Sequence, residues 1–336
     1  MTEAKQDKKL GNSGNIFTRF LFSILQFFKE NMGILIGFMV LCIALTIMKP
    51  VFLTEKNLLN VLRQLSTNLY LALPMTMIII LGGIDLSVGS TIALSGVITG
   101  GLIAFNSAPV PLAIFAGLAA GVLVGGFNGM VISKTTIPPF IVTLATMNIA
   151  RGAAYVYTGG QPIRVMSDSF NFIGAGYVGQ IPTPVIYLVA ILIICYIILN
   201  RSKMGRHIYA VGGNRMAAKF SGIKTGKVLF FAYTLSGFLA GITGIVLASR
   251  MFSGQPTAGD GAEMDAISAV VLGGTSMSGG MGKIGGTVIG GLIIGVLNNG
   301  LNLMNVNSFW QFIVKGVVIL IAVYVDNVKR AKTVKA

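Results

Sequence analysis

Ten apolar stretches of roughly 17–25 residues run through this 336-residue chain, and they restrict its fold more than any other feature. They cover 32–48, 58–82, 86–104, 110–133, 139–158, 182–199, 228–249, 265–281, 284–301 and 309–325. A helix needs about 20 mostly apolar residues to cross the bilayer core. In lipid each backbone N–H and C=O must find its partner within the protein, so runs of this length predict helices. The expected fold is all-α, a polytopic transmembrane helical bundle of about ten spans. The fifth and eighth stretches are the richest in polar residues and glycine, and are expected to be re-entrant or broken. Composition agrees: 54% of residues are hydrophobic and 10% charged, too few for the water-facing surface of a soluble domain this size. The 44 glycines suit close helix–helix approach and breaks within spans.

Residues 1–31 are polar and basic, and apolar character starts only at Met32, too late for a secretory signal. The expected organisation is an N-terminal tail (1–31), one membrane domain (32–325) with a large loop at 200–227, and a C-terminal tail (326–336). Cys42 and Cys195 fall within apolar runs and suggest neither a disulfide framework nor a metal site. His207 is the single histidine and has no candidate ligands beside it, so no metal is expected.

The net charge of +15 would suggest nucleic acid in a soluble protein. Here its distribution has a simpler cause. With the N-terminus inside, 18 of the 25 basic residues fall on the cytoplasmic side and four outside, with Arg63, Arg151 and Lys315 inside spans. The positive-inside rule therefore predicts that both termini are cytoplasmic, and no nucleic-acid partner is expected. Loop 200–227 carries seven basic residues and no acid. Within it Asn214 is a good N-cap, 215–220 favours helix, and Gly222 suits the stop. Met216 and Phe220 share one face, while Ala217 and Ala218 keep the helix slim enough for a groove. The charges are topogenic; the capped helix with apolar side chains predicts docking to a soluble partner.

No P-loop occurs: Gly226-Lys227 is followed by Val228 and Gly282-Lys283 by Ile284. No Ser/His/Asp set or carboxylate pair is spaced for catalysis, so neither nucleotide hydrolysis nor a membrane enzyme is expected. Asp85 precedes the third stretch, where it can cap the helix or hydrogen-bond a hydroxylated solute. It is the one acid away from the outer surface and the tails, which disfavours a proton relay and a self-sufficient secondary transporter. The other polar groups within spans are mostly neutral amides and hydroxyls. Asp85, Ser87, Asn128, Asn148, Asn298 and Asn299 are the candidates for a path taken by a neutral polyhydroxylated solute, though each could equally bond helix to helix. The segment Leu81–Gly89, LGGIDLSVG, is echoed by Leu272–Gly280, LGGTSMSGG; an inherited repeat and chance among the glycines both remain open.

Several motifs carry a family resemblance: Gly83–Gly89, Phe140–Leu144, the loop Gly205–Ile223, Gln255–Gly259, Asp265–Ile267 through Val271–Ser276, and Leu297–Leu303. Over nearly its whole length the chain resembles the permease subunits of bacterial ABC importers for monosaccharides. One departure is Ala262, where that family commonly has tyrosine, so an aromatic contact is not carried over to this outer loop. The resemblance implies a multi-pass protein of the bacterial plasma (inner) membrane that works as a homodimer. It implies a cytoplasmic ATPase subunit docked on the 214–222 helix, with ATP and Mg on that partner and no cofactor on this chain. It also implies an extracytoplasmic sugar-binding protein facing Gln255, Glu263 and Asp265, and a monosaccharide cargo. Ribose is the first expectation; galactose, xylose and inositol are the alternatives.

Overall fold

The computed structural model describes residues 32–307 and 309–318, together with 320 and 324. The expected tails 1–31 and 326–336, and part of the last stretch, lie outside the described residues. The chain builds helices almost throughout: α1 Met32–Met48, α2 Glu55–Ile80, α3 Val88–Asn106, α4 Val110–Lys134 and α5 Pro139–Thr158. A short α6, Asp168–Ala175, precedes α7, Thr183–Tyr196, which runs on through a π turn at Ile197–Arg201. The basic loop folds into α8, Lys203–Gly213, and α9, Arg215–Phe220. Then follow α10 Thr225–Arg250, α11 Ala262–Leu272, α12 Ile284–Leu303 and α13 Phe309–Val318. Two-residue strands make small antiparallel pairs. β1 (Ile163–Arg164) pairs with β4 (Ser253–Gly254), and β2 (Tyr177–Val178) with β3 (Ile181–Pro182).

Among the described residues, five helices are both long and apolar enough to cross a membrane: α3, α4, α7 with its π turn, α10 and α12. The fold is thus that of an all-α membrane protein. The fifth apolar stretch is one continuous helix, α5. The eighth is broken: α11 has 11 residues, about 16 Å of rise, and 273–283 continue without helix.

Close packing of α4 on α10 forms the centre. Gly121 and Gly125 face Gly237 and Tyr233 across this seam, and a methyl on Gly125 would stand 2.3 Å from the Tyr233 carbonyl oxygen. Glycines at four-residue spacing put one backbone directly against the other, replacing the hydrophobic drive that lipid does not supply. Around this seam α3 packs on α4, α5 and α10; α2 packs on α10, α11 and α12; and α1 leans on α12.

The two echoed segments end their helices alike. The N–H groups of Gly82 and Gly83 donate to Ile79 and Ile78, and those of Gly274 and Thr275 donate to Val271 and Val270. Gly82 (φ 77°) and Gly274 (φ 81°) take the left-handed position that closes such an end. The sequence echo aligns Gly83 with Gly274, so the structural match is displaced by one residue. Many glycine-ended helices close this way, so the shared geometry by itself does not require an inherited repeat.

Candidate functional site

Two buried polar clusters and one exposed helix stand out. The first cluster surrounds the break between α2 and α3. Asp85 is buried there, and its Oδ1 accepts from the Ser87 N–H at 3.0 Å and the Ser87 hydroxyl at 2.6 Å. Its Oδ2 accepts from the Ser236 hydroxyl of α10 at 2.8 Å, and Asn128 of α4 donates to Ser87 Oγ at 2.9 Å. Thr143 of α5 donates to the Ile84 carbonyl at 3.2 Å, so the break is tied to three helices. The Tyr233 hydroxyl and Asn128 Oδ1 are buried here without a hydrogen-bond partner. Unsatisfied groups of this kind suit a site that exchanges water or a polar solute.

Asp85 does not cap α3, contrary to expectation. Ser87 holds the N-cap position, and Asp85 accepts from the N–H two residues ahead, an Asx-type turn. The reason is geometric: the Ser87 hydroxyl is itself drawn to Asp85, and the helix begins after that turn closes. Sequence reasoning missed Ser236 and Tyr233. They lie within an apolar run among small residues, and nothing local marks them.

The second cluster joins α11, α12 and α13. Asp265 is buried, with Lys315 Nζ 2.9 Å from Oδ1 and 3.0 Å from Oδ2, and Asn298 Nδ2 donating to Oδ2 at 3.0 Å. Asp265, the first residue of the eighth stretch, thus ties helices together through its buried carboxylate. Next to Asn298, Asn299 turns to α2 and exchanges two amide hydrogen bonds with Asn57, at 3.0 and 2.9 Å. Asn298 and Asn299 therefore join neither each other nor the Asp85 cluster. Asn148 is exposed on α5 and donates only to the Leu144 carbonyl of its own helix.

Near the start of α11, Glu263 is half-buried, and its carboxylate occupies the space a methyl on Gly89 would need. Gln255 lies in the preceding turn, where its carbonyl accepts from the Ala258 N–H at 3.1 Å. Arg151 of α5 donates to the Pro256 and Ala258 carbonyls at 2.7 and 2.9 Å. That cation, placed within a span by sequence, thus holds this turn. Arg63 lies over the Tyr177 ring at 4.8 Å.

The basic loop forms the exposed element. Asn214 Oδ1 accepts the Ala217 N–H at 2.9 Å, and Gly222 (φ 84°) closes α9, both as the sequence predicts. Phe220 is 84% exposed and Met216 61% exposed, whereas Ala218 is buried against the bundle. The short helix therefore has an anchored side and a free side, and Ala218 is on the anchored one. The preceding α8 went unpredicted. Ser202 caps it by accepting the Gly205 N–H at 3.2 Å, and Ile208 and Val211 are buried. Tyr209 of α8 donates to the Gly282 carbonyl at 2.7 Å, and Gly280 N–H donates to the Ile80 carbonyl at 2.8 Å. Burial raises the Tyr209 phenol above its ordinary pKa, so it stays a donor. The backbone at Gly212 lies against the Ile80 carbonyl and the Gly280 N–H, so α8 touches both glycine-ended breaks.

Among the described residues the arrangement comprises broken helices, a buried polar hub and a short helix with an exposed apolar side. Residues 57–323 match a family model described as the branched-chain amino acid transport system / permease component. The chain belongs to this family of transport permeases. It is 48% identical over 304 residues to the ribose import permease protein RbsC of Bacillus subtilis, covering 90% of this chain and 94% of that protein. It is 44% identical over 300 residues to the ribose import permease protein RbsC of Escherichia coli K12, covering 88% and 93%. With the L-arabinose transport system permease protein AraH of Escherichia coli K12 it shares 40% identity over 301 residues, 90% and 92% of the two chains. No solved structure matches the chain significantly. The permease is a multi-pass membrane protein and a transport subunit.

Proposed function

We propose that this chain is the membrane subunit of an ATP-driven importer that carries ribose into the cytoplasm by alternating access. The identity of 44–48% to ribose import permeases over about nine-tenths of their length carries this reading. The test is uptake of labelled ribose by vesicles containing the permease, its ATPase and its binding protein. Uptake should require ATP and be outcompeted by ribose more strongly than by arabinose or allose. Uptake without the ATPase, driven by an ion gradient, would replace this reading with secondary transport.

The remaining features follow from the same proposal. About ten segments enter the bacterial inner membrane, both termini are cytoplasmic, and the basic asymmetry supports that orientation. A cysteine at Ser202 should then be labelled from the cytoplasm only, and one at Ser253 from outside only. The free side of α9, with Met216 and Phe220, docks the ATPase, which supplies ATP and Mg. Phe220→Asp should leave the permease folded, because the ring is solvent-exposed, yet uncouple hydrolysis from uptake. The turn holding Gln255 and the first turn of α11 with Glu263 face the sugar-binding protein. Two copies of the chain flank the path: Asn148 presents an exposed amide among exposed Ile141, Leu144 and Ile149 on α5, a placement suited to a polar path between copies. The Asp85, Ser87 and Asn128 hub borders that path one helix deeper.

A further inference from the structure

Beside the docking helix, an open cavity of about 550 Å³ lies between the C-terminus of α4 and the start of α10. Four lysines line it: Lys134 from α4, Lys219 from α9, and Lys224 and Lys227 at the start of α10. Ser133 and Gly226 also line it, and no acid is in the lining. Among the described residues none of these four lysines is ion-paired, and α10 begins without a capping side chain. All four are exposed, so water and salt screen part of their mutual repulsion, and an anion among them would relieve the rest.

The surface leading away from this cavity is apolar. Leu123, Phe127 and Met130 are exposed on α4 at the spacing that continues to Lys134. On α10, exposed Phe230 follows Lys227 by one turn. Both helices are long and apolar enough to cross a membrane, so the lysines stand at their ends and the apolar strip runs inward. A phosphate group at the lysines with acyl chains along that strip matches both parts. A free anion would use only the first.

We propose that this cavity seats the phosphate headgroup of an anionic phospholipid, with its acyl chains along Leu123, Phe127, Met130 and Phe230. Lys219 belongs to α9, so the lipid bridges the docking helix to the α4–α10 seam. The placement of α9 at an ATPase interface rests on the proposed function; the cavity and its chemistry do not.

The test uses the full chain in nanodiscs of phosphatidylcholine containing a minor fraction of phosphatidylglycerol, with retained lipid read by native mass spectrometry. The native chain should retain phosphatidylglycerol in preference to phosphatidylcholine. In Lys134→Gln/Lys227→Gln that preference should fall about thirtyfold, as expected from losing two surface cations near a headgroup. Lys203→Gln/Arg206→Gln, equal in charge change but outside the cavity, should leave it intact. No preference in the native chain, or equal loss in both variants, would overturn the proposal. Displacement of the lipid by millimolar inorganic phosphate would assign the cavity to a free anion instead. A loss of ATPase association in the cavity variant that is the same in pure phosphatidylcholine would assign it to an acidic surface of that partner. Both leaflets of a nanodisc are alike, so a wrong orientation would appear in the cysteine labelling and leave this measurement unaffected.

Discussion

Asp85 and Asp265 are both buried acids in a membrane bundle, yet the molecule accommodates them in opposite ways. Asp265 is held by a cation, Lys315, with an amide from Asn298 at its side. Asp85 is held by two serine hydroxyls and one backbone N–H, with no cation among its hydrogen-bond partners. An ion pair fixes helices firmly because separating the charges in a low dielectric is costly. A carboxylate held by hydroxyls rests on groups that rotate about a single bond, and the Ser236 hydroxyl has an alternative acceptor in the carbonyl one turn back in its own helix. The first arrangement suits a brace between α11 and α13; the second suits a place where backbone must move.

The largest effect should come from breaking the brace. Asp265→Ala leaves Lys315 mostly buried without its counter-charge, and is expected to cost about 3 kcal/mol, the lower end for a broken buried pair because both ends keep some water access. Asp265→Leu/Lys315→Met removes both charges and should recover most of that loss. Unfolding in bilayers by steric trapping measures both. Should the double variant be as unstable as the single, charge pairing is not what holds these helices.

Asp85→Ala should cost less, about 2 kcal/mol, from buried donors left without their acceptor. Ribose uptake should fall far more than stability does. No second-site removal of a cation should rescue it, because no cation takes part in its bonds. A rescue of Asp85→Ala by neutralising any nearby lysine or arginine would erase the contrast between the two acids.

Ser236→Ala ranks next. It strips Asp85 Oδ2 of its one hydroxyl donor and should cost about 1.5 kcal/mol, the range for a hydrogen bond to a charged group. In an Asp85→Asn background the same change should cost less than half as much, since a neutral amide depends less on that donor. Equal costs in both backgrounds would show that Ser236 acts by packing, not through Asp85.

What the sequence disclosed follows the same physical division. Apolar runs report contact with lipid or with other helices, so the spans 139–158 and 110–133 are matched by α5 and α4 within a residue. Caps are local, so Asn214 and Gly222 were readable from their neighbours. Partnerships across the bundle are not local. Ser236 lies 151 positions from Asp85 and Asn57 lies 242 from Asn299, and neither spacing carries a periodic signal. Helix α8 was hidden for another reason. Its buried side chains alternate with Arg206, His207 and glycines, so charge content masked an amphipathic pattern.

The smallest effect, and the sharpest comparison, comes from changing each acid to its amide. Asp85→Asn keeps an oxygen that can accept from Ser87, and its new N–H₂ can donate to Ser236 Oγ, whose lone pairs are available once it no longer donates. The shape is retained and a buried charge is removed, so the stability change should be within about 1 kcal/mol. Asp265→Asn keeps the shape equally well, but it presents amide hydrogens or a neutral oxygen to Lys315, and a buried ammonium without a counter-charge destabilises the fold. The two isosteric changes should therefore differ by roughly 2 kcal/mol in the same bilayer assay, with Asp265→Asn the worse. Uptake should reverse the order relative to stability. Asp85→Asn should fold normally and transport poorly if the charge at the break serves the cargo or the movement of α3. If the two amides destabilise equally, the distinction between a charged brace and a hydroxyl-solvated hinge fails.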